Sequence, residues 1–419
     1  MSTPPAALTN WAGNVRYRAA GVHRPTSLDE LRFVVAGAER IRALGSGHSF
    51  SPLADTTGDL VRLDGLPPVV EVDRAASTVT VAAGVRYAEL ARRLHEAGYA
   101  LANMASLPHI SVAGCCATGT HGSGDRLPCL AAAVSALQLV GPGGELVDLR
   151  RDTDPDVFPG AVVALGALGV VTRLTLDVEP AFEVAQRVLL DVPLGEVAAD
   201  LDAVFGSAYS VSVFTDWRGG TAGAWVKRRL DRAEAGWAGG RPATEPDHPV
   251  NGLPPEACTE QLDVPGPWHE RLPHFRADHL PSAGAELQSE LLLPRAAAPA
   301  AFAELSALGS AIAPVLHVSE VRTIRADDLW LSPAYGRDTV GFHFTWFPDP
   351  AVVLPVIAAV EERLGPMGAR PHWGKLTTMA GPEIVARYER APDFARLLRS
   401  FDPGGKFRNP YIDELFPAT

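Results

Sequence analysis

Several features that mark large functional classes are missing from this chain. Four cysteines in 419 residues are too few for a disulfide framework. Two of them, Cys115 and Cys116, are adjacent, an arrangement that rarely closes a bridge, so a reducing cytoplasm is the expected setting. No apolar run is long enough to span a bilayer; the longest, AVVALGALGVV at 161–171, is interrupted by glycines. The opening MSTPPAALTNWAG has neither a basic n-region nor an apolar h-region, so no signal peptide is expected. Positive charge is scarce: 37 Lys and Arg against 49 Asp and Glu give a net charge of −12. With no basic stripe, nucleic acid and anionic membranes are not expected as partners. The G-x-S-x-G elbow, the P-loop and the G-x-G-x-x-G fingerprint are all absent, and with them the usual signs of a hydrolase, a nucleotide phosphatase or a nicotinamide-binding unit. His269 and His274 in HERLPHF are split by Pro273 and cannot share a helix face, so no metal site is expected.

What remains is an ordinary globular composition, 47% hydrophobic and 21% charged, in a chain long enough for two domains. TSLDELRFVVAGAERI (26–41) opens with a capping box, Ser27 and Glu30, and continues at helical spacing through Leu28, Leu31 and Val35. Strands are expected at 60–66 and over 69–85, the latter with a turn near Arg74–Ser77. An amphipathic helix is expected over 86–101, ended by Gly98. A Gly-Gly hairpin is expected over 134–149, and a Gly-rich turn into a strand over 165–180. After Pro180, strand and helix alternate to about residue 240. A Pro-rich, polar stretch at 241–283 then predicts a long excursion over the surface or over a cavity mouth. Strand-like runs follow at 285–293, 317–324 and 340–347, then a helix at 352–365.

Two stretches carry chemistry. RALGSGHSFSP (42–52) sets one imidazole, His48, on a glycine-rich loop after an apolar pair. By itself this fits either a surface turn or a backbone cradle for an anionic ligand. NMASLPHISVAGCCATGTHGSGDR (103–126) shows almost no helix or strand signal, yet it is too uncharged for disorder. A buried loop of this kind must satisfy its backbone polar groups, which a large polar ligand could do. Alternation along the later strands puts Glu320 with Arg322, and His343 with Thr345, opposite an apolar face of Phe342, Phe344 and Trp346. Those four polar residues suit either a solvated ion pair or a cavity for a hydroxyl-rich ligand.

Taken in order, GSGHSF (45–50), NMASLPHISVAG, ATGTHGSG (117–124), AELQSE (285–290), SPAYGRDTV (332–340), HFTW (343–346) and PHWGK (371–375) closely resemble the bacterial alditol oxidases, flavoproteins of the vanillyl-alcohol-oxidase type. The resemblance covers nearly the whole chain; PHWGK and the closing FDPGGKFRNPYI are shared with the wider sugar-lactone oxidases. It implies an α+β fold in which a two-part FAD-binding domain (1–180) receives a C-terminal segment (371–419), and a cap domain on an antiparallel sheet (181–370) covers the flavin ring. It implies FAD bound covalently through its 8α-methyl to His48. Gly45, Ser46, Gly47 and Ser49 would lie on one side of the cofactor, and Ser106, Ser111, Gly114, Ala117, Thr118, Gly119 and His121 on the other. Ser106, Gln288, Glu320, Arg322, His343, Thr345 and Lys375 would form the substrate site. The implied reaction oxidises the terminal primary alcohol of xylitol or sorbitol to the aldose while O2 becomes H2O2, in a cytoplasmic monomer. Arg322 and Lys375 are the candidates for charge stabilisation. For the base, His343 leads and Glu320 follows, although Glu320 could instead anchor a hydroxyl or hold Arg322. Cys115-Cys116 departs from the family pattern and reads as small buried filler. An aldonolactone oxidase, a flavin dehydrogenase using another acceptor and a non-enzymatic carbohydrate binder are the alternatives.

Overall fold

The computed structural model describes residues 8–279 and 286–418. Strands β1 (Gly21–His23), β2 (Ile41–Leu44) and β3 (Asp59–Arg62) form a small parallel sheet in the order β1-β3-β2. The helix Leu28–Gly37 connects β1 to β2. Ser27 Oγ accepts from the Glu30 N–H, while the Glu30 carboxylate reaches back to the Thr26 N–H at 2.8 Å, one residue earlier than the expected capping box. The glycine loop leaves the carboxyl end of β2, the end of a parallel sheet where ligands commonly bind.

A second, antiparallel sheet holds β4 (Val70–Asp73), β5 (Thr78–Ala82), β6 (Val134–Val140), β7 (Leu146–Arg150) and β8 (Val170–Asp177) in the order β4-β5-β8-β6-β7. The Asp73 carboxylate accepts from the N–H groups of Ala75 and Ala76 and closes the β4–β5 turn near the expected position. Inside the stretch 103–126, where no helix was expected, Val112–Ala117 forms a short one. Val112, Cys115 and Cys116 are buried on one face, but the other face carries Ala113, Gly114 and Ala117 and no polar residue, so the sequence shows no amphipathic period.

The long strands of a large nine-stranded sheet are β9 (Glu183–Pro193), β10 (Ser210–Thr215), β11 (Thr221–Arg229), β12 (Leu287–Pro294), β13 (Leu316–Ile324) and β14 (Thr339–Trp346). Their order is β9-β11-β10-β13-β14-β12, with antiparallel neighbours. Ala285, the expected start of β12, lies outside the described residues. Phe342, Phe344 and Trp346 are fully buried against the helices Ala298–Ala307 and Pro350–Leu364, as the alternation requires. The other face of β14 is thereby turned toward the Gly-loop sheet. The chain's end returns to the first sheet: Lys406 O accepts from the Ile41 N–H, and Lys406 Nζ donates to the carbonyls of Val35, Ala36 and Pro142.

Candidate active site

One cavity of about 760 Å³ extends from the glycine loop to the polar face of the large sheet. At the loop end, no hydrogen bond runs from the backbone N–H groups of Ser46, Gly47, His48 or Ser49 to a protein acceptor among the described residues. Gly47 has φ +71°, a left-handed conformation that glycine adopts without strain. A Cβ on Gly45 would lie 2.5 Å from Ser111 Oγ, and one on Gly114 2.7 Å from the same oxygen. The absence of a side chain at Gly45 lets the first loop approach Ser111 of the second, and the absence of one at Gly114 leaves room for the Ser111 hydroxyl inside the second. Trp11 stacks on His48 with ring centroids 5.2 Å apart. The Trp11 N–H donates to Gly47 O and Asn10 Nδ2 donates to Ser49 O, strapping the loop from outside. Burial pushes the His48 imidazole down to about 4, with His109 and Arg86 adding to the effect. The ring is thus neutral at physiological pH and keeps a free lone pair.

At the sheet end, strand register builds a compact charge network. Glu320, His343 and Glu290 lie side by side on β13, β14 and β12, with Gln288 opposite Thr345 in the row two residues on. Gly341 lies opposite Arg322, and a Cβ there would come 3.2 Å from Glu290 Oε1. Arg322 Nη2 donates to Glu290 Oε1 at 2.5 Å, and Lys375 Nζ donates to Glu290 Oε2 at 2.6 Å. Lys375 Nζ also donates to His343 Nδ1 at 2.8 Å. His274 Nε2 lies 2.8 Å from Glu320 Oε1, and Arg322 Nε lies 3.7 Å from Glu320 Oε2. Two cations thus face two carboxylates in a buried site.

Burial alone would raise Glu290, but Arg322, Lys375 and His121 outweigh it and hold the carboxyl well below its usual range. Glu320 is likewise lowered despite burial, through Arg322 and His274. Burial, then Lys375, pushes His343 well below its ordinary value, and burial lowers Lys375 itself. Because Nδ1 of His343 accepts from an ammonium, the ring proton sits on Nε2, 3.2 Å from Thr345 Oγ1.

All seven residues expected at the substrate site line this cavity, as do His48, Gly45, Ser46, Gly47, Ser49, Ser111, Gly114, Ala117, Thr118 and His121. Gly119 does not; it turns at φ +65° where a Cβ would come 2.9 Å from Pro333, and its neighbour Thr120 lines the cavity instead. His343, the leading candidate for the base, is tied to Lys375 and in this state offers only an N–H. Sequence reasoning missed Glu290, the hub of the network, although alternation places it on the same face as Gln288. It also missed His274, which reaches Glu320 from the Pro-rich excursion. That excursion also lines the cavity through His248, Val250 and Leu253. His269 goes elsewhere, its ring 4.7 Å from that of His95. Among the described residues no group of His, Cys, Asp and Glu is placed to hold a metal. Cys115 and Cys116 are free and buried, and burial raises both thiols.

The residues fit a flavin dinucleotide. A run of unpartnered N–H groups on a glycine loop suits a pyrophosphate. Among the cavity-lining residues, His121 Nε2 and Arg322 Nε are buried and make no hydrogen bond to the described residues, lying 3.3 Å from Glu290 Oε1 and 3.7 Å from Glu320 Oε2, which leaves them able to serve a large polar ligand. Comparison with known proteins agrees. Residues 19–150 match the family described as FAD binding domain, and residues 286–415 match that described as D-arabinono-1,4-lactone oxidase. The chain is 52% identical to an alditol oxidase from Streptomyces sp., covering 99% of both chains. It is 29% identical to an L-gulono-1,4-lactone dehydrogenase from Mycobacterium tuberculosis, covering 96% of this chain and 97% of that one. Cholesterol oxidase from B. sterolicum has the same fold, with a TM-score of 0.80, 16% identity and coverage of 100% and 99%. A chitooligosaccharide oxidase superposes with a TM-score of 0.77 at 15% identity, covering 98% of this chain and 94% of that one. The chain is a member of the alditol-oxidase family, FAD-binding oxidoreductases of the vanillyl-alcohol-oxidase fold.

Proposed function

We propose that the protein oxidises the terminal primary alcohol of a linear polyol such as xylitol or sorbitol to the aldose, with O2 reduced to H2O2 and FAD attached through its 8α-methyl to His48. The observation that carries the proposal is the buried row Glu320–His343–Glu290, with Arg322 and Lys375, in the cavity that also holds the glycine loop. When bound, FAD supplies the hydride acceptor and the link to O2. Neutral, stacked His48 is the nucleophile so placed on that loop. Ser111, Gly114, Ala117, Thr118 and His121 would line the second side of the cofactor.

The hydroxyl proton must leave as the carbon loses hydride. Arg322 offers fixed positive charge to the developing alkoxide. His343 and Lys375 work as a pair. With Lys375 deprotonated, His343 Nδ1–H donates to the amine and Nε2 becomes the acceptor for the substrate proton. That proton can pass through the ring to Lys375, restoring the arrangement seen here. Glu320, held ionised, is a weak base and instead accepts a substrate hydroxyl. Ser106, Gln288 and Thr345 supply the remaining polar contacts. A polyol presents a donor and an acceptor at every carbon and can serve all these groups together. A lactone carbonyl only accepts, and each buried partner left unserved costs about 1–3 kcal/mol.

The lactone-oxidase match over residues 286–415 favours a second reading, oxidation of an aldonolactone. Peroxide release on xylitol and sorbitol, beside galactono- and gulono-lactone, separates the two. Higher kcat/KM on a lactone overturns the polyol assignment. Division into 1–180, 181–370 and 371–419 is supported by the return of Lys406 to the first sheet and by the separate core of the large sheet. A net charge of −12 without a basic stripe supports a small-molecule partner over nucleic acid or an anionic membrane. Among the described residues no single helix is long and apolar enough to cross a membrane.

A further inference from the structure

Lys227, on β11, is 1% exposed and is included in no ion pair among the described residues. Its ammonium donates to the carbonyls of Arg271, Leu272 and Pro273 at 2.8, 2.6 and 2.8 Å. Those three residues immediately precede His274, whose Nε2 meets Glu320. Burial pushes Lys227 well below its ordinary value, yet three carbonyl acceptors require all three N–H bonds of the ammonium, and a buried ammonium without a counter-ion is costly. We infer that Lys227 is a positioning residue of the substrate site: it clamps residues 271–273 so that His274 is presented to Glu320 and orients the carboxylate that receives a substrate hydroxyl. The assignment rests on the polyol-oxidase function proposed above and adds two residues to it.

The geometry is continuous from strand to substrate. Strand register places Lys227 beside Ser210, Trp225 beside Ser212 and Phe214 beside Glu320, all on the cavity face of the large sheet. The segment carrying His274 lies across that face. His274 Nε2 binds Glu320 Oε1, which leaves Oε2, near Arg322, for the ligand. The charged groups facing His274 are Lys227 from β11 and Glu320 and Arg322 from β13. β10 contributes the Ser212 hydroxyl at 3.3 Å, and the rings of Phe214, Trp225 and Phe275 close the remaining sides. Burial, then Lys227, holds the imidazole at about 4 against the opposing pull of Glu320. His274 therefore reaches Glu320 as a neutral N–H donor. Were it protonated, it would compete with the substrate for the carboxylate's charge.

The test compares wild type, Lys227→Met, His274→Gln and the double variant. Each is measured for peroxide release from xylitol across pH, for flavin absorbance and for Tm, and the His274 imidazole is titrated by NMR. Lys227→Met should raise KM for xylitol about tenfold, with kcat changed less than about threefold. The NMR titration of His274 should move upward in pH, because the imidazole without the neighbouring cation protonates nearer its ordinary value. In the His274→Gln background, Lys227→Met should change KM no further. A Lys227→Met protein that loses Tm but keeps the wild-type KM and His274 titration has lost only a structural group, and overturns the inference. So does an equal KM penalty in both backgrounds. If Lys227→Met does not fold, His274→Gln decides alone: a raised KM with kcat changed less than about threefold supports the inference, and a wild-type KM overturns it. Failure of wild type to oxidise xylitol would sink the function, while the His274 titration would still decide the role of Lys227.

Discussion

Glu290→Gln is the perturbation with the most determinate outcome. The carboxylate is 1% exposed and accepts from both Arg322 and Lys375. The amide keeps the shape but leaves two buried cations without their shared counter-charge. Breaking a buried ion pair on one side costs about 3–5 kcal/mol, and Glu290 serves two such pairs, so Tm should fall clearly. The sign with pH follows from the direction of the shift. A carboxyl held below its usual range adds stability that is present above the unfolded value of about 4.3 and is lost as pH falls through the folded value. The Tm gap between wild type and variant should therefore narrow in acid. The kinetic consequence is less obvious. Glu290 is the largest influence holding the Lys375 ammonium up against burial. Without it, Lys375 should lose its proton at lower pH, and the rising limb of kcat/KM should move to lower pH even as its plateau falls about a hundredfold. The assay is kcat/KM for xylitol from pH 5 to 10, with flavin absorbance to score the folded holoenzyme. A variant with wild-type Tm and an unmoved limb would refute the hub role of Glu290.

Other outcomes follow from the same site. His48→Ala should lose the acid-stable, in-gel fluorescent flavin while the protein stays folded; fluorescence retained in the variant, or flavin released by acid from the wild type, would contradict attachment at His48. Lys375→Met should lower turnover about a hundredfold or more, and should abolish the rising limb that the lysine sets below its ordinary range, with the flavin spectrum intact; a loss confined to KM would mean that the lysine only anchors substrate. Gly45→Ala should reduce bound flavin, because its Cβ would meet Ser111 Oγ at 2.5 Å, and adding Ser111→Ala should restore part of it. Equal flavin content in wild type and Gly45→Ala would show that the close approach of the two loops is dispensable.

Local periodicity made much of this site readable from sequence. The two-residue repeat of β14 put His343 and Thr345 opposite three fully buried aromatics, and the same repeat paired Glu320 with Arg322. The glycine loop after β2 was legible because glycine, serine and histidine cluster there. Glu290 escaped because its importance lies in register: which residues of β12 and β13 flank His343 is fixed by pairing across long stretches of chain, not by local pattern. His274 and Lys227 escaped for a related reason. One sits in coil with no period, and the other is a lone cation in a strand, a position that ordinarily reads as solvent-facing. The helix Val112–Ala117 escaped because the face opposite its buried Val112, Cys115 and Cys116 carries alanine and glycine, so no polar face marks it.

The most direct test is anaerobic addition of xylitol to the purified protein while its visible spectrum is followed. The account predicts that the yellow flavin absorbance bleaches and returns, with peroxide, when O2 is admitted. A spectrum unmoved by xylitol but bleached by gulono-lactone would contradict it.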